Sequence, residues 1–167
     1  MTRGRTSLTS PPPRRIAGQA VLVHPDDERV LLLDAAGGPY RRLPGGQAGQ
    51  DEPAHRTVRR LVAAQLGIAL PFTGADLAAV DYSPAAPSTG SREGYAFVFA
   101  VRLTHDQAAR TAQAQARNPD PPGSGWTTPE KLSAVCAHRD LLRISEALAW
   151  YAVQGSAALL VDGALAA

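Results

Sequence analysis

A chain of 167 residues with 44% hydrophobic and 19% charged side chains carries enough apolar material for one packed domain with short appendages, which excludes global disorder. A formal charge of +2 is too small to call for a nucleic-acid partner, and no stretch approaches the roughly 18 to 20 uninterrupted apolar residues of a membrane span. The single cysteine, Cys136, excludes an internal disulfide and fits a reducing, cytoplasmic setting.

Residues 1–15 carry arginines and a Pro11-Pro12-Pro13 run without the apolar core of a secretory signal, and read as a flexible basic tail. Residues 16–23 and 30–34 are Val- and Leu-rich runs separated by His24-Pro25-Asp26-Asp27-Glu28-Arg29, the pattern of a β-hairpin around a polar turn. A loop follows over residues 35–52. From residue 53 the period changes. Ala54, Val58, Leu61, Val62, Gln65 and Leu66 recur at helical spacing, with Asp51 as the cap, Pro53 in the first turn and Gly67 where a C-terminal glycine belongs.

Residues 76–82 read as a strand. Residues 95–103 form a near-continuous apolar run, which predicts a central strand covered on both sides. Residues 104–116 read as a helix and 118–125 as a loop; Trp126 opens a strand and turn leading into Pro129-Glu130-Lys131-Leu132. A terminal helix is expected over residues 140–153. The organisation is a tail at 1–15, a domain at 16–154 and a C-terminal tail at 155–167, in which residues 157–161 read as a short edge strand.

Leu43-Pro44-Gly45-Gly46, Glu52, Arg60, Gly67 and Ile68 resemble the Nudix box. Counting from Gly46, five residues lead to Glu52 and seven more to Arg60; Val62 fills an aliphatic place, and Gly67-Ile68 close the pattern without a gap. Gly125-Trp126-Thr127-Thr128-Pro129-Glu130-Lys131-Leu132 resembles the Trp-x-x-x-Glu-x-Leu segment of the same family. The resemblance spans about residues 16–153. It implies a Nudix-type α/β/α sandwich with a mixed central sheet.

It also implies a chemistry that this chain departs from. In the family, three carboxylates at i, i+3 and i+4 of the box helix hold Mg²⁺ or Mn²⁺ against a diphosphate, and the metal activates water. Here those positions are Leu61, Ala64 and Gln65, and no Asp or Glu occurs between Pro53 and Leu70. Two readings follow. The first is a non-hydrolytic or repurposed binder of a nucleotide-like or phosphorylated ligand, with no cofactor expected. The alternative is an active pyrophosphohydrolase of nucleoside diphosphate derivatives whose Mg²⁺ or Mn²⁺ ligands have moved, for instance to Asp51, Glu52, Asp120 or Glu130. Whether the protein is an enzyme stays open at this point.

The candidate ligand-binding residues are Tyr40, Arg41, Arg42, Gly45, Gly46, Glu52, Arg56 and Arg60, with Glu52 also the candidate catalytic group. Arginine suits phosphate oxygens through bidentate geometry, Tyr40 is placed to stack on a base, and Glu52 is the obvious partner left for Arg60. A solvated helix face is the competing account of the arginines. His24, His55, His105 and His138 lack metal-ligand spacing. His24 reads as a surface residue, and His55 lies nearest the expected cleft. The partners expected are a phosphorylated small molecule and a second copy in a homodimer, with neither membrane nor nucleic acid.

Overall fold

In the computed structural model, which describes residues 14–35, 37–117, 123–153 and 155–166, two strands form the spine. Strand β1 (Arg15–Val23) runs parallel to β6 (Gly94–Arg102), in register from Arg15 beside Gly94 to Val23 beside Arg102. Beyond β1 lie β2 (Val30–Asp34) and β3 (Arg41–Arg42). Beyond β6 lie β5 (Leu77–Ser83), β8 (Ala158–Val161) and β9 (Ala164–Leu165). Strand β4 (Gly45–Gln47) pairs with the first half of β1, and β7 (Ser124–Thr127) pairs with β2. The sheet is mixed, because β1–β6 and β5–β8 are parallel while the remaining pairs are antiparallel.

Strand alternation divides the apolar residues into two cores. Ala20, Leu22, Leu31 and Leu33 face α1 (Ala54–Leu66) and α2 (His105–Arg117). Val21, Val23, Val30 and Leu32 face α3 (Pro129–Val135) and α4 (His138–Val153). Helix α1 buries Val58, Val62 and Leu66 completely, one residue per turn, and each contributes about 1.5–3 kcal/mol of apolar burial. It ends where Gly67 adopts φ 68°, donating its N–H to the Ala63 carbonyl. The expected central strand is β6, between β1 and β5.

Four expectations need correction. The β1–β2 hairpin pairs only at Val23 and Val30, because β4 occupies the edge of β1 at Ala17–Gln19 and β2 turns away toward β3 and β7. Asp51 does not cap α1. It sits at φ 55° within the turn, Pro53 takes the cap position, and no side chain caps the helix. His24 is not a surface residue: its side chain is 14% exposed, edge-on to Trp126 at 4.8 Å, with Arg29 Nη2 at its ring nitrogens. Residues 158–161 do form a strand, but β9 lies outside it, so β8 is bonded on both sides. Residues 1–13 of the expected tail and 118–122 of the expected loop lie outside the described residues; Arg15 already belongs to β1, and Ser124 and Gly125 to β7.

Candidate functional site

The box loop is held by backbone contact. Gly45 has φ 120°, and a Cβ there would stand 2.1 Å from the Gly18 carbonyl; a Cβ on Gly18 would stand 2.5 Å from the Ala54 carbonyl. Only glycines let β4, β1 and the first turn of α1 approach this closely. The approach brings Gly45 and Gly46 against the face of α1 that carries Leu61 and Gln65.

Gln65 closes a two-bond clamp on Gly45. Its Oε1 accepts from the Gly45 N–H at 2.8 Å and its Nε2 donates to the Gly45 carbonyl at 3.0 Å. Arg42 Nη1 donates to the same carbonyl at 3.3 Å. Leu61 Cδ1 lies 3.2 Å from where a Cβ on Gly46 would be, and Ala64 is exposed. The space facing Gly45–Gly46 is thus filled by a methyl group and a neutral amide already engaged with the chain.

Glu52 receives Arg60 in a forked pair, from Nε at 2.8 Å and Nη2 at 2.7 Å, and also accepts from the Gly49 N–H at 2.8 Å. The Arg60 guanidinium and then the Gly49 amide hold this carboxyl down at about 2. It is therefore a weak proton acceptor near neutral pH, poorly matched to general-base work.

The residues present do not fit a resident Mg²⁺ or Mn²⁺. Hard dications take oxygen ligands, carboxylates above all, whereas Leu61 and Ala64 offer none and the Gln65 oxygen is occupied. Among the described residues no three His, Cys, Asp or Glu side chains converge as a metal site would require. Glu130 lines a surface recess with Asp27, Glu28 and Arg29, beyond the far end of β1, while Glu52 stands beside Ile16 at its start. Asp120 lies outside the described residues.

The arginines of the box do not gather. Arg41 and Arg42 are consecutive on β3 and so point to opposite faces; Arg41 pairs with Asp34 at 3.0 Å. Arg56 is exposed on α1, and Tyr40 is 51% exposed. His55 lines an apolar recess with Ile16, Leu77 and Phe97.

An arginine-walled cleft does form, from residues outside the box, with its guanidinium groups engaged within the chain: Arg139 pairs with Asp162 at 2.6 Å, and Arg15 donates to the Arg92 carbonyl at 2.8 Å. It is a small, solvent-open cleft of about 140 Å³, floored by Ala17, Gly94 and Ala96 and walled by Arg15, Gln47, Arg139 and Arg143. Beneath it Arg143 meets Asp81 at 2.6 Å, Gln19 Oε1 at 2.9 Å and Asp140 at 3.2 Å, and Asp81 also accepts from the Gly163 N–H at 3.0 Å. Burial pushes the Asp140 carboxyl up, against the pull of Arg143. One signal was readable: Asp140, Arg143 and Ala147 lie in phase on α4, so a charged pair sits on the stripe that enters the core.

The fold is that of Nudix hydrolases. A MutT Nudix hydrolase from Burkholderia pseudomallei matches with a TM-score of 0.59 at 23% identity, over 80% of this chain and 98% of its own. The Nudix domain of Shewanella oneidensis NrtR, in a structure complexed with ADP ribose, matches with a TM-score of 0.62 at 17% identity, over 90% of this chain and 99% of that one. NrtR complexed with a 27mer DNA matches with a TM-score of 0.62 at 17% identity, over 84% of this chain and 63% of that one. No protein-family profile matches the chain, and no curated protein matches it by sequence.

Proposed function

We propose that this Nudix-fold protein binds a nucleotide-like or otherwise phosphorylated ligand without metal-dependent hydrolysis. The observation that carries the reading is the Gln65 clamp. The position that resembles a metal-ligating glutamate bears an amide, and both ends of that amide are bonded to Gly45. A carboxylate there would accept from the Gly45 N–H but repel the Gly45 carbonyl. The loop geometry therefore rests on the neutral side chain.

The ligand is proposed to lie in the cleft between β4 and α4. Gln47, two residues from Gly45, links the cleft to the box loop, and phosphate oxygens would be met by Arg15 and by Arg139, which a ligand must share with or draw from Asp162. Arg42, Gly46, Arg56 and Tyr40 remain candidate contacts for a ligand that extends along the box loop. ADP ribose, which the NrtR Nudix domain holds, is the natural first probe.

The test is a phosphate-release assay over nucleoside diphosphate and triphosphate derivatives with Mg²⁺, Mn²⁺ or chelator, run beside calorimetry with ADP ribose. Metal-independent binding that weakens at least about tenfold in Arg139→Ala, without turnover, is the expected result. Metal-dependent turnover lost in Glu52→Gln would replace this reading with that of a hydrolase whose metal ligands have moved.

A further inference from the structure

The guanidinium groups around the cleft differ in how much charge they leave it. Arg143 is directed inward, to Asp81, Gln19 and Asp140. Arg15 donates from Nε and Nη2 to the Arg92 carbonyl, a neutral partner that leaves its positive charge uncompensated. Arg139 meets an exposed carboxylate: its Nη2 stands 2.6 Å from Asp162 Oδ1, with the two side chains 47% and 48% exposed. The state of that pair decides whether Arg15 faces a ligand alone or with a second positive charge beside it.

Asp162 is delivered to Arg139 by a turn with its own supports. It lies with Gly163 between β8 and β9, at φ 51° and 86°, the left-handed pair of a two-residue hairpin turn. The Asp162 N–H donates to the Tyr82 carbonyl at 2.9 Å, and the Gly163 N–H donates to Asp81 Oδ1 at 3.0 Å. A Cβ on Gly163 would stand 3.3 Å from the Arg139 carbonyl, so the turn lies directly on the first turn of α4. Asparagine or glycine would form this turn as well as aspartate does. The turn accounts for the backbone and not for the charge, which falls within reach of a cleft arginine.

We propose, on the reading that this cleft is the binding site, that Asp162 is an internal competitor for the anionic ligand. Its carboxylate closes Arg139, and a phosphate group opens the pair by taking the carboxylate's place. The closed pair is readily exchanged, because a single N–H···O contact between half-exposed groups is worth little in water. A phosphate group accepts two parallel bonds from one guanidinium, which this singly held carboxylate does not. The exchange leaves the fold in place. The turn keeps its bonds to Tyr82 and Asp81 while the Asp162 side chain rotates out to solvent.

The size of the cleft fixes what enters. At about 140 Å³ it is smaller than the roughly 300 Å³ at which pockets for whole small ligands begin, so it takes one charged group of a larger molecule. Asp162 therefore gates a phosphate group and turns away neutral ones, since a group without charge offers Arg139 less than the carboxylate already supplies.

Calorimetry with ADP ribose in the presence of chelator tests the exchange. Asp162→Asn keeps a residue that tolerates the left-handed backbone and removes the charge, and it should tighten binding about two- to fivefold. Asp106→Asn, which takes the partner from exposed Arg110 on α2, changes the net charge equally and should leave binding unchanged. In an Arg139→Ala background Asp162→Asn should have no effect, because the competitor acts through that guanidinium. Absence of binding in both the unaltered protein and Asp162→Asn removes the cleft as the binding site and this inference with it. Binding that Arg139→Ala weakens and Asp162→Asn fails to tighten overturns the inference alone. A gain that persists in the Arg139→Ala background overturns it too, since plain repulsion between Asp162 and the ligand then accounts for the gain.

Discussion

Arg143 meets Asp81 in the interior at 2.6 Å, with the two side chains 8% and 0% exposed, whereas Arg60 meets Glu52 at 2.7 Å with Arg60 52% exposed. Both are arginine–carboxylate pairs of similar length, and their surroundings set them apart. The inner pair ties β1, β5, α4 and the β8–β9 turn into one network, so each charge is the condition on which the other is tolerated. The outer pair folds the box turn onto α1 and is screened by water. Its geometry persists where the carboxylates that resemble its catalytic neighbours are missing, which marks it as a brace for the loop.

The largest effect should come from breaking the inner pair. Arg143→Met leaves Asp81 buried and unpaired, and urea denaturation should show a loss of about 3–5 kcal/mol. Adding Asp81→Val should restore part of that loss. A single substitution costing less than about 1 kcal/mol would mean that water enters the site and would erase the contrast between the two pairs.

Next comes Gln65→Met, which leaves the buried Gly45 N–H without its acceptor and should lower stability by about 1–3 kcal/mol. A neutral outcome in the same denaturation experiment would show that Arg42 alone holds the loop.

The outer pair gives the smallest effect, and pH reveals it. Glu52 is held near 2 in the folded protein against a usual value of 4.5, so its contribution is complete above about pH 4.5 and is lost as pH falls toward 2. The Tm of the unaltered protein minus that of Glu52→Gln should be small, constant above pH 5 and vanishing on acidification. A difference that grew on acidification would reverse the assignment.

The residue pattern made local structure legible and left distant pairing hidden. Helix α1, its glycine stop and the apolar run of β6 could be read because each signal lies within a dozen residues. The Glu52–Arg60 pair was foreseeable too, since Arg60 had lost the carboxylates that the resemblance would supply. The Gln65 clamp was not, because its partner is a backbone group 20 residues away and leaves no mark in side-chain chemistry. Two adjacent apolar runs looked like a hairpin, yet most of the β1 pairing goes to β6 and β4. Arg41 and Arg42 appeared to act together until strand alternation separated them. The cleft arginines come from residues 15, 139 and 143, brought together only by the sheet and α4.

The parallel pairing of β1 with β6 joins residues 79 positions apart, Arg15 to Gly94. On a ribosome adding about 5–20 residues per second, β1 then waits roughly 4 to 16 s for its main partner to be made. During that interval Ala20, Val21, Leu22 and Val23, all at most 1% exposed in the finished protein, have only β2, β4 and α1 to pack against. This strand beside the centre of the native sheet is thus the segment most in need of chaperone protection in the nascent chain, and closing so long a loop makes its docking onto β6 a slow step of folding.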